Sequence, residues 1–180
     1  MSTSYAALLR GINVGGKTQI AMPELQSLCT ELGLSDVKTY VRSGNVVFRS
    51  DSSDAPAVAA RIEHRIAETF DVAPAVLLRT RGELRAIAER NPFLVEEAVR
   101  TKLHVVFLES EPPAARRDEL DPDRSPPDRF HLDGRELYLH LPNGAGRSKL
   151  TLDYIERRLG VRGTARNWNT VLKLLELIPD

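Results

Sequence analysis

The chain has 180 residues, 42% of them hydrophobic and 28% charged, and its 25 basic residues balance 25 acidic ones for a formal net charge of zero. A length of this order suits one ordinary domain or two small ones, and buries roughly two-thirds to three-quarters of the unfolded surface. The balance argues against a general nucleic-acid sleeve or a membrane-surface binder, which usually carry a basic excess, though it allows a local basic patch.

Met1-Ser2-Thr3-Ser4-Tyr5 shows no charged leader followed by an apolar core, and no apolar run approaches the roughly 20 residues that cross a bilayer, so a cytoplasmic setting and no membrane partner are expected. The single cysteine, Cys29, has no internal disulfide partner and shares a helical stripe with Leu25, Leu28 and Leu32, so it is expected as a buried thiol rather than a nucleophile.

Residues 5–10 form a short apolar run ended by glycine, as a buried strand would. After a glycine-rich loop, Met22-Pro23-Glu24 opens a helix and Gly33 closes it. Residues 37–42 and 45–49 are β-rich and joined through Ser43-Gly44 as a tight hairpin. Asp54 caps a helix with Val58, Ile62, Ile66 and Phe70 spaced by four, and 75–79 returns as a strand. This half reads β-α-β-β-α-β.

Thr80 and Glu83 form a capping-box pair ahead of a connecting helix that runs to Asn91-Pro92, while 92–101 carries no clear assignment. A second pass starts with a strand at 103–108. A short charged helix opens at Pro112-Pro113, and a proline-rich turn region follows at 121–127. Asp133-Gly134, suited to a type I′ turn, joins strands at 130–132 and 135–141. A helix over 148–159, a strand over 161–166 and a terminal helix marked by Trp168, Val171, Leu172 and Leu175 complete the chain. The expected fold is α+β: tandem βαββαβ ferredoxin-like (split βαβ) subdomains with antiparallel sheets plus a C-terminal helix. The divisions fall at 1–80, a connector at 81–101, and 102–180. Matching lengths and order with little matching sequence suggest a diverged tandem duplication.

Residues 8–17 (LLRGINVGGK), 39–48 (TYVRSGNVVF) and 164–170 (TARNWNT) resemble the three signature blocks of a bacterial family filed as domain of unknown function 1697. The resemblance implies a soluble bacterial α+β protein of two ferredoxin-like halves, and assigns no activity, cofactor or catalytic residue.

The chemistry gathers at the first block. Gly11, Gly16, Lys17 and Thr18 have the spacing of a phosphate-binding P-loop, in which glycine amides face phosphate, lysine neutralises it and a hydroxyl holds magnesium. Such spacing arises by chance in about one chain in a hundred. Thr18-Gln19-Ile20-Ala21 separates the lysine from the helix, and the expected sheet is antiparallel, so a magnesium-nucleotide is the disfavoured reading and no cofactor is expected.

Topology argues more strongly than the motif. In a βαββαβ unit the C-terminal end of the first strand lies beside the turn joining the second and third. Arg10, Gly11, Asn13, Gly15, Gly16 and Lys17 therefore meet Arg42, Ser43 and Asn45 at one sheet edge. Arginine forks, an ammonium, amides and glycine N–H groups with no acid in either segment suit a phosphate, a carboxylate or a nucleic-acid backbone. The competing reading has Asn13, Ser43 and Asn45 satisfying turn backbone, and both stand open. Arg166, Asn167 and Trp168 are candidates to reach this edge from the C-terminal block, against a plainer role as helix cap and hydrophobic anchor.

The matching edge of the second half carries Glu109, Glu111 and Asp133 instead. In its hairpin, Arg129, His131, Glu136, Tyr138 and His140 share one face, with His131 expected opposite Glu136. A solvated or interdomain face is favoured there over metal or RNA binding. His64 and His104 have no evident catalytic partner, and no nucleophile-base set assembles. The expected partner is a small anionic ligand, a nucleotide or phosphorylated metabolite. The rivals are an RNA or single-stranded nucleic-acid binding module and a structural or protein-interaction domain without a ligand.

Overall fold

The eight strands expected from the apolar runs all form, as two four-stranded antiparallel sheets accompanied by helices that include one at the C-terminus. The structure, a computed structural model, describes residues 2–14, 19–96 and 99–180. It divides into one compact unit of residues 1–86 with 173–180, and a second of residues 87–172. Where the sequence suggests divisions at 80 and 101, residues 81–86 group here with the first unit, 87–101 with the second, and the last eight residues with the first.

The first unit contains β1 (Thr3–Leu9), α1 (Met22–Glu31), β2 (Ser35–Tyr40), β3 (Asn45–Ser50), α2 (Ala55–Phe70) and β4 (Val76–Thr80). Their sheet order is β2-β3-β1-β4, with Leu8 opposite Asn45 and Leu9 opposite Val76. α2 starts where Asp54 Oδ1 accepts from Ala57 N at 3.1 Å, with a proline in the first turn where no intrahelical N–H bond is lost. Its stripe Val58, Ile62 and Ile66 is buried against Tyr5, Ala7, Leu9, Val46 and Phe48, together with Leu25, Leu28 and Cys29 of α1. Burial pushes the Cys29 thiol up to about 12, so it behaves as a small apolar side chain. Ala6, Leu8, Val47 and Leu77, on the opposite face, are buried as well, which is why β1 reads as a continuous apolar run instead of an alternating one.

α3 (Arg81–Arg90) follows β4, and its capping box forms: Thr80 N donates to Glu83 Oε2 at 2.7 Å, and Glu83 N donates to Thr80 Oγ1 at 3.2 Å. The second unit contains β5 (Leu103–Leu108), β6 (Arg129–Asp133), β7 (Glu136–His140), α4 (Leu152–Leu159) and β8 (Gly163–Asn167), ordered β6-β7-β5-β8. Its core gathers Val106, Leu108, Leu137 and Leu139 under Tyr154, Ile155 and Leu159 of α4. α5 (Trp168–Leu177) follows, capped by Asn167, whose Oδ1 accepts from Thr170 N at 2.9 Å.

Several boundaries differ from expectation for identifiable reasons. The charged helix after Pro113 is only a 3-10 turn, Ala114–Arg116, because Arg116, Arg117, Asp118 and Glu119 offer no apolar stripe before the buried Leu120. α4 begins at Leu152 rather than 148: Thr151 Oγ1 caps Tyr154 N, while Ser148 Oγ accepts from Leu150 N and makes a turn. In the β6–β7 hairpin Asp133 pairs with Glu136, so the turn is Gly134-Arg135 and positive φ falls on Gly134 alone, at 59°, unlike a type I′ turn. His131 accordingly faces Tyr138, not Glu136. The expected face survives because the register moved by two, and the pleat repeats every two residues.

Candidate cleft at the end of the first strand

The end of β1 is clasped from both sides. Leu9 N donates to Gly44 O at 2.8 Å and Arg10 N donates to Ala75 O at 2.9 Å. The β2–β3 turn occupies four residues, 41–44, rather than two, and opens with Val41 at φ 50°. It ends at Gly44, with φ +80°, where a Cβ would lie 2.6 Å from Ile12 Cδ1 and 2.9 Å from Leu9 Cβ. Glycine is therefore demanded twice, by conformation and by space.

Asn13 ties the loop after β1 to this turn. Its Nδ2 donates to Arg42 O at 2.7 Å and to Ile20 O at 3.1 Å, and its Oδ1 accepts from Ile20 N at 2.8 Å. At φ 55° it also takes the left-handed conformation that asparagine tolerates well. Ile12, 1% exposed, anchors the loop in the core. Asn45 is fully buried and closes the turn from below, donating from Nδ2 to Tyr40 O at 2.9 Å and to Ser43 Oγ at 3.0 Å. Arg10 is half-buried, Gly11 has φ +74°, and Arg42 and Ser43 are exposed. Gly15, Gly16, Lys17 and Thr18 lie outside the described residues.

Beside the clasp is a cleft of about 540 Å³ lined by Asn13, Arg42 and residues 19–24. α1 begins at this cleft with Ala21 as its N-cap and no side-chain cap, so first-turn N–H groups and the positive end of the helix dipole stand next to Arg42. Glu24 adds one carboxylate, which the two segments compared in the sequence did not contain. Residues 19–24 were missed as lining groups. Their position immediately before Pro23 was the available signal, because a loop that leaves a sheet edge must deliver the next helix start nearby. A P-loop differs in two respects, since its lysine opens the helix and its strand lies in a parallel sheet; α1 starts only at Met22, and β1 pairs antiparallel on both sides.

Arg166, Asn167 and Trp168 belong to the second unit. Arg166 is 6% exposed and donates from Nη1 to Thr164 Oγ1 at 2.7 Å and to Ala165 O at 2.9 Å. Burial pushes its guanidinium down to about 10, still charged at neutral pH. Asn167 caps α5, and Trp168 is buried.

The second hairpin's polar face is not a solvated surface at Tyr138 and His140, which are 1% and 8% exposed. The Tyr138 hydroxyl donates to Ile87 O at 3.1 Å, Phe93 stacks on His140 at 5.7 Å, and Arg129 lies over Phe93 while donating to Glu96. Residues 87–96, the end of the expected connecting helix and the start of the stretch without a clear assignment, cover that face. Burial pulls the His104 pKa down, and its Nδ1 has no hydrogen-bond partner among the described residues. Among the described residues no group of three His, Cys, Asp or Glu side chains is placed to hold a metal ion, and no helix is long and apolar enough to cross a membrane.

The chain belongs to the family described as Protein of unknown function (DUF1697), whose model matches residues 2–138 and so contains both the β1 loop and the 39–48 block. It is similar to a conserved bacterial protein from Streptococcus pneumoniae of known structure, at 26% identity and a TM-score of 0.75, with 98% of this chain and 99% of that chain covered. It matches none of the curated proteins compared with it.

Proposed function

We propose that the cleft at the end of β1 binds a small anionic ligand bearing phosphate or carboxylate, as a nucleotide or phosphorylated metabolite does. The observation that carries this reading is the exposed Arg42 lining the same 540 Å³ cleft as an α1 N-terminus without a side-chain cap. A cleft of that size suits a small molecule, and Arg10 and Lys17 complete the proposed clamp. Asn13 and Asn45 act by positioning, since their amides hold the backbone of the loop and the turn that presents Arg42. We read each sheet with its helices as a ferredoxin-like subdomain, supported by the orders β2-β3-β1-β4 and β6-β7-β5-β8, and place the protein in the cytoplasm, in keeping with a single buried thiol.

The test is a thermal-shift titration with nucleotides and phosphorylated metabolites, with and without magnesium. A ligand at about 100 times its dissociation constant adds roughly 2.7 kcal/mol of stability. Arg42→Glu should abolish the shift while leaving the unliganded midpoint unchanged. A retained shift in that variant overturns the clamp, and a lowered midpoint without any ligand effect favours a pure hairpin brace. The brace has its own support in the three bonds of Asn13.

A further inference from the structure

The second unit brings two stretches that sequence reading left without chemistry, the proline-rich turn at 121–127 and the C-terminal end of α4, onto one aromatic ring. Tyr154 is 5% exposed, and its hydroxyl accepts from Asp121 N at 3.0 Å, which fixes the turn against the helix. Arg124 Cζ lies 4.9 Å and Arg158 Cζ 5.6 Å from the centre of that ring. With Arg157 they line a cleft of about 360 Å³, so that three of its four lining side chains are guanidinium groups.

Two of the cations have carboxylate neighbours. Arg157 Nη2 is 2.9 Å from Asp153 Oδ2, and Arg158 Nη1 is 3.7 Å from Glu119 Oε2, both as half-exposed or more exposed surface pairs that contribute little energy. The negative end of the α4 dipole accounts for Arg157 and Arg158 in the last helical turn. It does not account for Arg124. That side chain comes from a separate segment, lies over the same ring, and has no ion pair among the described residues. Three like charges gathered in one concavity repel one another, and an anion with several oxygens relieves that repulsion while matching the arginine forks. Ring contacts already order two of the three side chains, which lowers the entropy lost on binding.

We propose that Arg124, Arg157 and Arg158 form a binding site for the phosphoryl group of a small phosphorylated compound. Tyr154 is covered rather than offered to a base, so the site recognises phosphate oxygens and not a nucleobase. Calorimetric titration of the full chain with inorganic pyrophosphate tests this. Arg124→Ser combined with Arg158→Ser should remove one class of pyrophosphate sites, weakening it by roughly tenfold or more, while Arg42→Glu leaves that class intact. Tyr154→Phe, which keeps the ring and loses only the bond from Asp121 N, should retain binding and serves as the control for folding. Unaltered pyrophosphate binding in the double variant, or absence of pyrophosphate binding in the parent, overturns the proposal. A short single-stranded oligonucleotide bound by the parent and lost in the double variant, with no pyrophosphate binding, would instead make the cluster a nucleic-acid backbone contact.

Discussion

The two units solve the same problem at the end of their first strand with different residues. In the first, Leu9 N bonds to Gly44 O and Arg10 N to Ala75 O; in the second, Leu108 N bonds to Arg135 O at 2.8 Å and Glu109 N to Arg162 O at 2.9 Å. Leu9 faces Val76 and Leu108 faces Gly163, so Arg10 and Glu109 hold equivalent positions with opposite charge. Glu109 forms an ion pair with Arg162 at 3.0 Å. The same register places Arg79 beside Ala6 and Arg166 beside Val105, each followed by a capping residue, Thr80 or Asn167, and a helix. Backbone pairing thus persists between units whose edge chemistry differs. Hydrogen-bond register depends on backbone and pleat, whereas the charge at a strand end is open to change at little cost to packing.

The sharpest way to separate the two edges is at their turns. Gly44→Ala forces positive φ on alanine and places Cβ 2.9 Å from Leu9 Cβ, so urea unfolding should show a loss of about 2–5 kcal/mol. Gly134→Ala meets nothing nearer than Glu111 Oε1 at 3.8 Å and should lose only about 1–2 kcal/mol from the backbone. Equal losses would mean that the first turn is not held by packing.

Next in size is Asn13→Ala, which removes the brace between the loop and the β2–β3 turn and should cost about 1–3 kcal/mol. Arg42→Glu, on the same turn, should leave urea stability unchanged; if it destabilises as much as Asn13→Ala, the two residues act as one structural unit.

Alkaline pH separates the cores. The Cys29 thiol has its folded pKa raised from 9.0 to about 12 by burial, so between those values the folded state holds a proton that the unfolded state has released. Stability contributed by the neutral thiol is intact below pH 9 and falls as pH rises, by at most about 1.4 kcal/mol per pH unit. Unfolding followed from pH 9 to 10 should show this slope in the parent and a shallower one in Cys29→Ala. Native protein should also resist thiol labelling.

The smallest effects test the equivalence itself. Thr80→Ala and Asn167→Ala remove caps at matching register and should each cost about 1 kcal/mol by thermal unfolding. A large disparity would show that the two helix starts are not doing the same job.

Much of this was legible in the chain because it depends on local periodicity. The stripe at Val58, Ile62 and Ile66, the cap at Asp54, the box of Thr80 and Glu83 and the apolar run at 103–108 each act within a few residues, and each forms. The meeting of Asn13 with Arg42 was also within reach, since strand order alone brings those segments together. What resisted reading was occupancy. Amide groups that suit an oxyanion equally suit a carbonyl, and Asn13 and Asn45 are seen bonded to the backbone. The face of Tyr138 and His140 likewise has the polar pattern of an exposed surface, and only the fold of 87–96 over it makes it interior.

Order and type of the strands, the main helix stripes and the inert thiol follow from the residues, because burying apolar side chains at a period of two or 3.6 leaves few alternatives. The turn register at Gly134, the cleft at the start of α1 and the gathering of Arg124 with Arg158 over Tyr154 were decided by tertiary structure. Each depends on which distant segment comes to rest against a side chain, and that is determined by packing of the whole unit rather than by any window of sequence.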